Sequence, residues 1–554
     1  MPILDTCIIT SSDERQASVF RTLLERRVDR GLYPREIDFR VFSDPPGGRA
    51  GSGGGTIWAL LSLLREEGLD LIARPDLALA QKAFDHLALR RILVIHAGGE
   101  SRRLPAYVPE GKLFAPVPVP SSSFLPPVVL DVELSLFLKY PWREGELLVT
   151  SGDAVVDFNT DPLNLPDAPM CGFATPDSFA RGSRHGVFAF DPVTGAVKDY
   201  HQKASPGYLA REARIEGTES CALDLGLVSF RGQALQALLS SAAKPLQGGS
   251  IAQRVGGGGL TLDLYLELLT ACLGSLDRRS YGERLAGRSP APTEVLDLLF
   301  DSFQPCGLAG ALVRQTSFIH FGSAAEFPSS CRELRAREIL PFYALVHEEL
   351  VPEVGPTLVR YDCLEADVQA GQGGACAEDC RVIRVSCEGE NLLVGLRNLS
   401  IRGDVPRGFC IDERRFDENG SAVTVRLVYH KDDTFKRCPR AEDIVFCGQP
   451  LPGWLNARGL SLTDVFPDGA GEDLYRAELF PAGASADQLP GYWRVPADKE
   501  KWDAWFRGSR RFSIAEGNAR TDAAVRDAAR AEARRIEIAR GLGAGSSLTS
   551  APSG

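Results

Sequence analysis

The sequence predicts an α/β protein with a Rossmann-like mixed sheet over residues 1–308. A β-rich domain follows over 309–447, then an irregular and helical region over 448–540 and a disordered tail at 541–554. Three observations carry this division. Short β-branched runs alternate with amphipathic helical segments through the first three hundred residues, the pattern of βα units. After Ala309 the runs become short, β-rich and separated by glycine turns, with no long helical period, which suits a β-solenoid or a small β-sandwich. Residues 518–540 are rich in alanine, arginine and glutamate and read as a solvated amphipathic helix, a candidate contact for homo-oligomers.

At 554 residues the chain exceeds what one hydrophobic core supports. Its net charge of -11 excludes a nucleic-acid partner held by bulk electrostatics. No run of about eighteen apolar residues predicts a membrane span, and the first residues lack the pattern of a signal peptide, so a cytoplasmic protein is expected. The thirteen cysteines stand singly, as reduced buried thiols do. Cys376, Cys380 and Cys387 form the one cluster to weigh for zinc. Their spacing lacks paired CxxC hooks and no histidine lies near, so they are set aside.

Taken in order, 4–10 reads as a strand, 14–30 as a helix and 37–42 as a second strand. Gly51, Ser52, Gly53, Gly54 and Gly55 then precede Thr56 and an apolar helix, so free amides at a helix N-terminus are expected to face an anion. This is not a P-loop, because GxxxxGK[ST] is absent. A helix at 75–89 leads into the strand 92–95 and the turn His96, Ala97, Gly98, Gly99. That turn lacks the GxGxxG of a dinucleotide fold. Arg102 and Arg103 follow, and then Lys112. A strand, a glycine turn, a guanidinium pair and a lysine make a place for a polyphosphate.

Downstream, a helix at 128–140 and a strand at 146–149 end in Asp153. It lies just past a strand end, where ligands collect in open parallel sheets and where a carboxylate either caps the turn or serves Mg²⁺. His185 and Gly186 open a hairpin, 186–190 with 196–201, that closes at Lys203. This lysine is one of ten against fifty-two arginines. Asp224 and Gly226 interrupt the apolar strand 222–230. Asp263 and Glu267 stand four apart, so a helix there puts them on one face, either solvated or ligating a metal.

These motifs together resemble the GDP-L-fucose pyrophosphorylase family of sugar nucleotidyltransferases. The resemblance rests on HAGGESRRLPAYVPEGKLFAPVPV from His96, DPPGGRAGSGGGT from Asp44, SGD at 151–153 and RHGVF at 184–188. It continues through FIHFG at 318–322, FCGQPLPGWL at 446–455 and LYRAELFP at 474–481, and so covers most of the chain. The HAGG loop is similar to the GGxGxRL…PK signature of sugar nucleotidyltransferases, with Arg103 and Lys112 at its basic positions and His96 and Ala97 replacing small apolar residues.

The resemblance implies a GT-A-like catalytic domain, a left-handed β-helix-like second domain, and transfer of a guanylyl group from GTP to L-fucose 1-phosphate with Mg²⁺. It implies Asp153 and Asp263 as metal ligands, with Asp224 a competitor for the second place, Arg103 and Arg102 on the departing pyrophosphate, and Lys112 on the phosphate under attack. Lys203, with His185, Gly186 and Asp224, is implied for the sugar phosphate. His96 through Gly99 and Gly51 through Gly55 are implied for the nucleotide. The alternatives are an L-fucokinase-related protein, the front half of a split bifunctional kinase/pyrophosphorylase, and a non-catalytic sugar-nucleotide-binding protein.

Overall fold

A computed structural model of the chain describes residues 4–121, 123–161, 163, 165–191, 194–343, 352–438, 440–467 and 473–545. They divide into two compact units. One is drawn from 1–99, 135–152 and 156–318, and the other from 100–134, 153–155 and 319 onward. The break near residue 309 expected from composition thus falls after Phe318. The stretch with the arginine pair and Lys112 belongs to the second unit, together with Asp153.

The first unit is built on a mixed sheet. Its strands run in the order Ala309–Leu312, Met170–Asp177, Cys221–Phe230, Leu147–Ser151, Ile92–His96, Thr6–Ser11 and Asp38–Ser43. The last four are mutually parallel, and Cys221–Phe230 is antiparallel to both of its neighbours. Gly186–Phe190 pairs with Val197–Gln202 as the expected hairpin and also joins Cys221–Phe230. Part of that hairpin's turn, 192–193, lies outside the described residues. Thr6–Ser11 is buried along its whole length, as a parallel strand covered on both faces must be. The helix Glu14–Asp29 starts where Asp13 accepts the Gln16 amide at 2.8 Å. It buries Ala17, Phe20, Leu23 and Leu24, one stripe at helical spacing.

In the second unit the chain crosses back and forth between two sheets whose neighbouring strands are mostly parallel. One holds Glu353–Val354, Leu358–Tyr361, Ala375–Glu378, Asn391–Val394, Phe409–Glu418 and Ser421–His430; the other holds Leu364–Ala370, Arg381–Cys387 and Arg397–Val405. Leu358, Ala375 and Asn391 are successive partners in the first sheet, and Leu364, Arg381 and Arg397 in the second. Val359, Cys376 and Leu392 from one sheet join Val368, Val385 and Leu399 from the other in a single core. Burying each such aliphatic chain contributes roughly 1.5–3 kcal/mol.

The ladders repeat in the backbone conformation of their corners as well. Asp362, Asp379 and Gly395 occupy equivalent corners with φ of 54, 50 and 71°. Glu365, Val382 and Asn398 do the same one corner later, at 53, 52 and 48°. Left-handed conformations cost non-glycine residues free energy, most of all a β-branched one such as Val382. The parallel ladders on either side hold them in place.

Residues 448–467 and 473–520 pack within this unit through aromatic rings. Trp454 is fully buried, meets Phe446 edge-on with ring centroids 4.9 Å apart, and donates its indole N–H to Tyr492 O at 2.9 Å. The helix expected over 518–540 is corrected in two ways. Ile514–Arg520 is a separate short helix, and the long one spans Ala523–Gly545. Nor is it solvated on all sides, because Arg530 and Arg534 are buried in ion pairs. The tail expected at 541–554 lies outside the described residues from 546 on. Among the described residues no helix is long and apolar enough to cross a membrane.

Trp454→Ala should lower the stability of the folded chain by about 3–5 kcal/mol, the usual cost of emptying a fully buried aromatic site. Urea unfolding followed by circular dichroism measures it, and a loss below about 1 kcal/mol would contradict the packing described.

Candidate active site

In the second unit a cluster of charged side chains forms around Asp153. Gly111, at φ 70°, turns the chain into the short helical turn Lys112–Phe114. Lys112 Nζ donates to Asp153 Oδ2 at 3.0 Å. The Asp153 carbonyl accepts the Phe321 amide at 2.7 Å, which ties it to the strand end carrying His320. His320 Nε2 lies 3.5 Å from Asp153 Oδ2, and its Nδ1 lies 3.1 Å from Glu326 Oε2. Ser323 Oγ also donates to Glu326, at 2.9 Å. Burial works against a charge on His320, but hydrogen bonds and charge from Asp153 and Glu326 outweigh it and raise the imidazole to about 9. Likewise burial pushes the Glu326 carboxyl up, and His320, Ser323 and Arg103 together bring it below its ordinary value. The cluster is thus an alternating chain of charges, Lys112, Asp153, His320 and Glu326, each partly open to solvent.

The two arginines have different surroundings. Arg102 is held by Glu100 and by Asp473, the latter at 2.7 Å, and its guanidinium lies 4.7 Å from the centroid of the Tyr475 ring. Those contacts make it part of the scaffold. Arg103 is exposed, while its carbonyl accepts the Ala324 amide at 2.7 Å. Only the second guanidinium is presented to solvent beside the acidic cluster.

In the first unit His96 ends its strand between two hydroxyls. Its Nε2 lies 2.9 Å from Thr56 Oγ1 and its Nδ1 3.3 Å from Thr10 Oγ1. Thr56 gives its own proton to Ser52 O at 2.9 Å, so it must accept from Nε2–H, which leaves Nδ1 to accept from Thr10. Burial pulls the ring down to about 4, consistent with a neutral imidazole that ties two strands to a helix.

The glycine run does not form a loop before its helix, as its composition predicted; Gly51 to Gly55 are the first turns of the helix Gly51–Glu66. Two of the amides expected to be free are taken, since Gly53 and Gly54 donate to Leu262 O at 2.9 and 3.0 Å. A Cβ on Gly51 would stand 2.4 Å from that carbonyl, so close backbone packing accounts for the glycine. Ser52 donates to Asp263 Oδ2 at 3.0 Å. Asp263 also accepts the Tyr265 and Leu266 amides at 2.9 and 2.8 Å, so it caps the turn Leu264–Leu269 rather than sharing a helical face with Glu267. Glu267 accepts the Asp263 amide at 2.6 Å.

The remaining candidates sit around the hairpin. Lys203 is exposed, and its amide closes the hairpin on His185 O at 2.9 Å. A Cβ on Gly186 would fall 2.0 Å from the Tyr200 hydroxyl, so this glycine makes room for that ring. Tyr200 in turn donates to Asp224 Oδ2 at 3.1 Å. Asp224 is buried, and burial lifts its carboxyl to about 6 despite hydrogen bonds from Gly226 N, Tyr265 and Tyr200. Ala97, Gly98 and Gly99 continue from His96, with Gly99 at φ 126°.

His320 and Glu326 were not among the residues singled out as candidates. The available signal was that His320, one of seven histidines, sits in FIHFG with a glutamate six residues on.

Residues 84–484 match the fucose pyrophosphorylase domain. The chain is 25% identical over 493 residues to the L-fucokinase/L-fucose-1-P guanylyltransferase of Bacteroides fragilis, covering 86% of this chain and 46% of that protein. It is 24% identical over 562 residues to the bifunctional fucokinase/GDP-fucose pyrophosphorylase of Arabidopsis thaliana, covering 93% and 51%. The human fucose-1-phosphate guanylyltransferase is 29% identical over 192 residues, 34% of this chain and 28% of that protein. The chain thus spans about half the length of the two bifunctional relatives.

Because the folded-state value of His320 lies above its ordinary 6.5, its ion pairs stabilise the fold fully below pH 6.5 and are lost as pH rises through about 9. The Tm difference between the parent and His320→Gln should therefore be largest below pH 6.5 and shrink toward pH 9. A difference that is constant across this range would show that Asp153 and Glu326 do not raise the imidazole above its ordinary value.

Proposed function

The chain belongs to the fucose pyrophosphorylase family, and on that premise we propose that it is a sugar-1-phosphate nucleotidyltransferase converting GTP and L-fucose 1-phosphate to GDP-L-fucose and pyrophosphate. The observation that carries this reading is the Lys112–Asp153 pair, 3.0 Å apart and backed by His320, in a unit that also presents Arg103. The reaction forms one bond, from a sugar-phosphate oxygen to the α-phosphorus, and breaks the bond from that phosphorus to the pyrophosphate leaving group. Such a transfer leaves a protein mainly the work of positioning and charge neutralisation.

In this reading Lys112 neutralises the phosphate under attack and Arg103 holds the departing pyrophosphate. Arg102 keeps the loop in shape through Asp473. His320 fixes the carboxylate of Asp153. Gly98, Gly99 and the His96 strand end contribute to nucleotide binding, and Lys203, His185 and Gly186 to the sugar phosphate.

Asp153 fits Mg²⁺ as a hard oxygen donor 27% exposed to solvent. Among the described residues no group of three His, Cys, Asp or Glu could hold a metal, which suits an ion that takes most of its ligands from phosphate and water. When bound, Mg²⁺ would supply charge neutralisation at the phosphates. Asp263, whose oxygens already receive two amides and a hydroxyl, is the weaker donor. We read the alternating parallel ladders of 353–430 as the β-solenoid that the resemblance implies.

Pyrophosphate release from GTP and L-fucose 1-phosphate, crossed with other nucleotides and sugar 1-phosphates, tests the reading. Lys112→Ala and Asp153→Ala should each lower kcat by about 10²–10³-fold, the scale for losing one group that stabilises transition-state charge. Near-normal turnover by a folded Asp153→Ala protein would overturn the assignment.

A further inference from the structure

The long C-terminal helix Ala523–Gly545 lies beyond the residues that match the family, yet its arginines reach the segment that ends in Lys112. Arg526, Arg530 and Arg534 are spaced by four and share one face. Arg530 Nη1 donates to Glu110 Oε1 at 2.6 Å, and its Nε donates to Glu378 Oε1 at 2.6 Å. Arg526 Nη1 donates to Glu110 Oε2 and to Ala106 O, both at 3.1 Å. Arg414, from the strand Phe409–Glu418, donates to Pro105 O at 2.8 Å. Arg530, Glu110 and Glu378 are all at most 2% exposed. A buried carboxylate held by two guanidiniums is costly to move, because a shift leaves a buried charge unpaired. From Glu110 the chain passes through Gly111, turned at φ 70°, and reaches Lys112, whose ammonium meets Asp153.

We infer that Arg530, together with Arg526, is a positioning residue for catalysis: through Glu110 it sets where Lys112 presents its charge, which makes the C-terminal helix part of the catalytic apparatus. This rests on the role proposed for Lys112. A geometric displacement of a charged group by as little as about 1 Å can cost up to a hundredfold in rate, so the anchor acts on kcat rather than on substrate affinity.

Two variants of the full chain test this, Arg530→Gln and the milder Glu110→Gln, which leaves Arg530 paired with Glu378. Each should lower kcat for pyrophosphate release by about ten- to a hundredfold while KM for both substrates stays within about twofold. Arg530→Lys should restore part of the loss. In a Lys112→Ala background Glu110→Gln should cost nothing further, because its effect passes through the missing lysine. A second readout needs no activity. Limited acetylation followed by mass spectrometry should show faster labelling of Lys112 in Glu110→Gln, with Lys203 unchanged. Unaltered labelling of Lys112, or a full additive loss in the Lys112→Ala background, overturns the inference. Wild-type turnover by Lys112→Ala overturns instead the role proposed for the lysine, and the labelling result then stands alone for or against the anchor.

Discussion

The buried network in which Arg530 joins Glu110 to Glu378 is the constraint on which much of the second unit depends. Three pieces of chain far apart in sequence contribute to it. None can move without leaving a charge unpaired in a place water does not reach, and such a loss is among the most costly a fold can suffer. Burial alone pushes both carboxyls up. For Glu110, the Arg526 and Arg530 charges reverse that and bring it below its ordinary value. Tyr107 adds a hydroxyl to Glu378 at 3.4 Å, and Arg534 repeats the pairing one turn on, with Asp362 at 2.6 Å. The loop that carries Lys112 is thereby built on a base with little freedom.

Two histidines show how environment rather than residue type assigns chemistry. His320 stands between two carboxylates, which hold it charged to about pH 9. His96 stands between two threonine hydroxyls, and burial lowers it to about 4. One extends a chain of alternating charges, and the other serves as a neutral crosspiece between backbone elements. A histidine placed near a glycine turn draws attention in a sequence, yet only the fold shows the hydroxyl neighbours and the burial that keep it neutral. One in an apolar run, FIHFG, escapes notice until the two acids are seen beside it.

Strands of the first unit were legible where they are parallel and covered on both faces, because such strands are continuous apolar runs, as in 92–95. The alternating ladders of the second unit were not, for a physical reason. Their repeat lies in backbone corners with positive φ, and these are occupied by Asp362, Asp379 and Gly395, and by Glu365, Val382 and Asn398. Glycine stands at only one of the six. Neighbouring ladders hold the others in conformations that their side chains disfavour, so the corners carry no glycine signature in the sequence while the repeat remains in the structure.

By itself the sequence brought out α/β alternation in its first three hundred residues and short β-rich runs after them. It also brought out the stretch from His96 to Lys112 and Asp153, because glycine turns after apolar strands and charged residues beyond them are local signals. Only tertiary structure decided which charges meet. Lys112 and Asp153 are forty-one residues apart, and Asp153 and His320 far more, so no local pattern could pair them. The same holds for the C-terminal helix, whose alternation of arginine and alanine reads as a solvated face. The acids that bury its arginines come from Glu110, Asp362 and Glu378, more than a hundred residues earlier. Whether a charge is solvated or buried is settled by what packs against it, and that information lies outside its own segment.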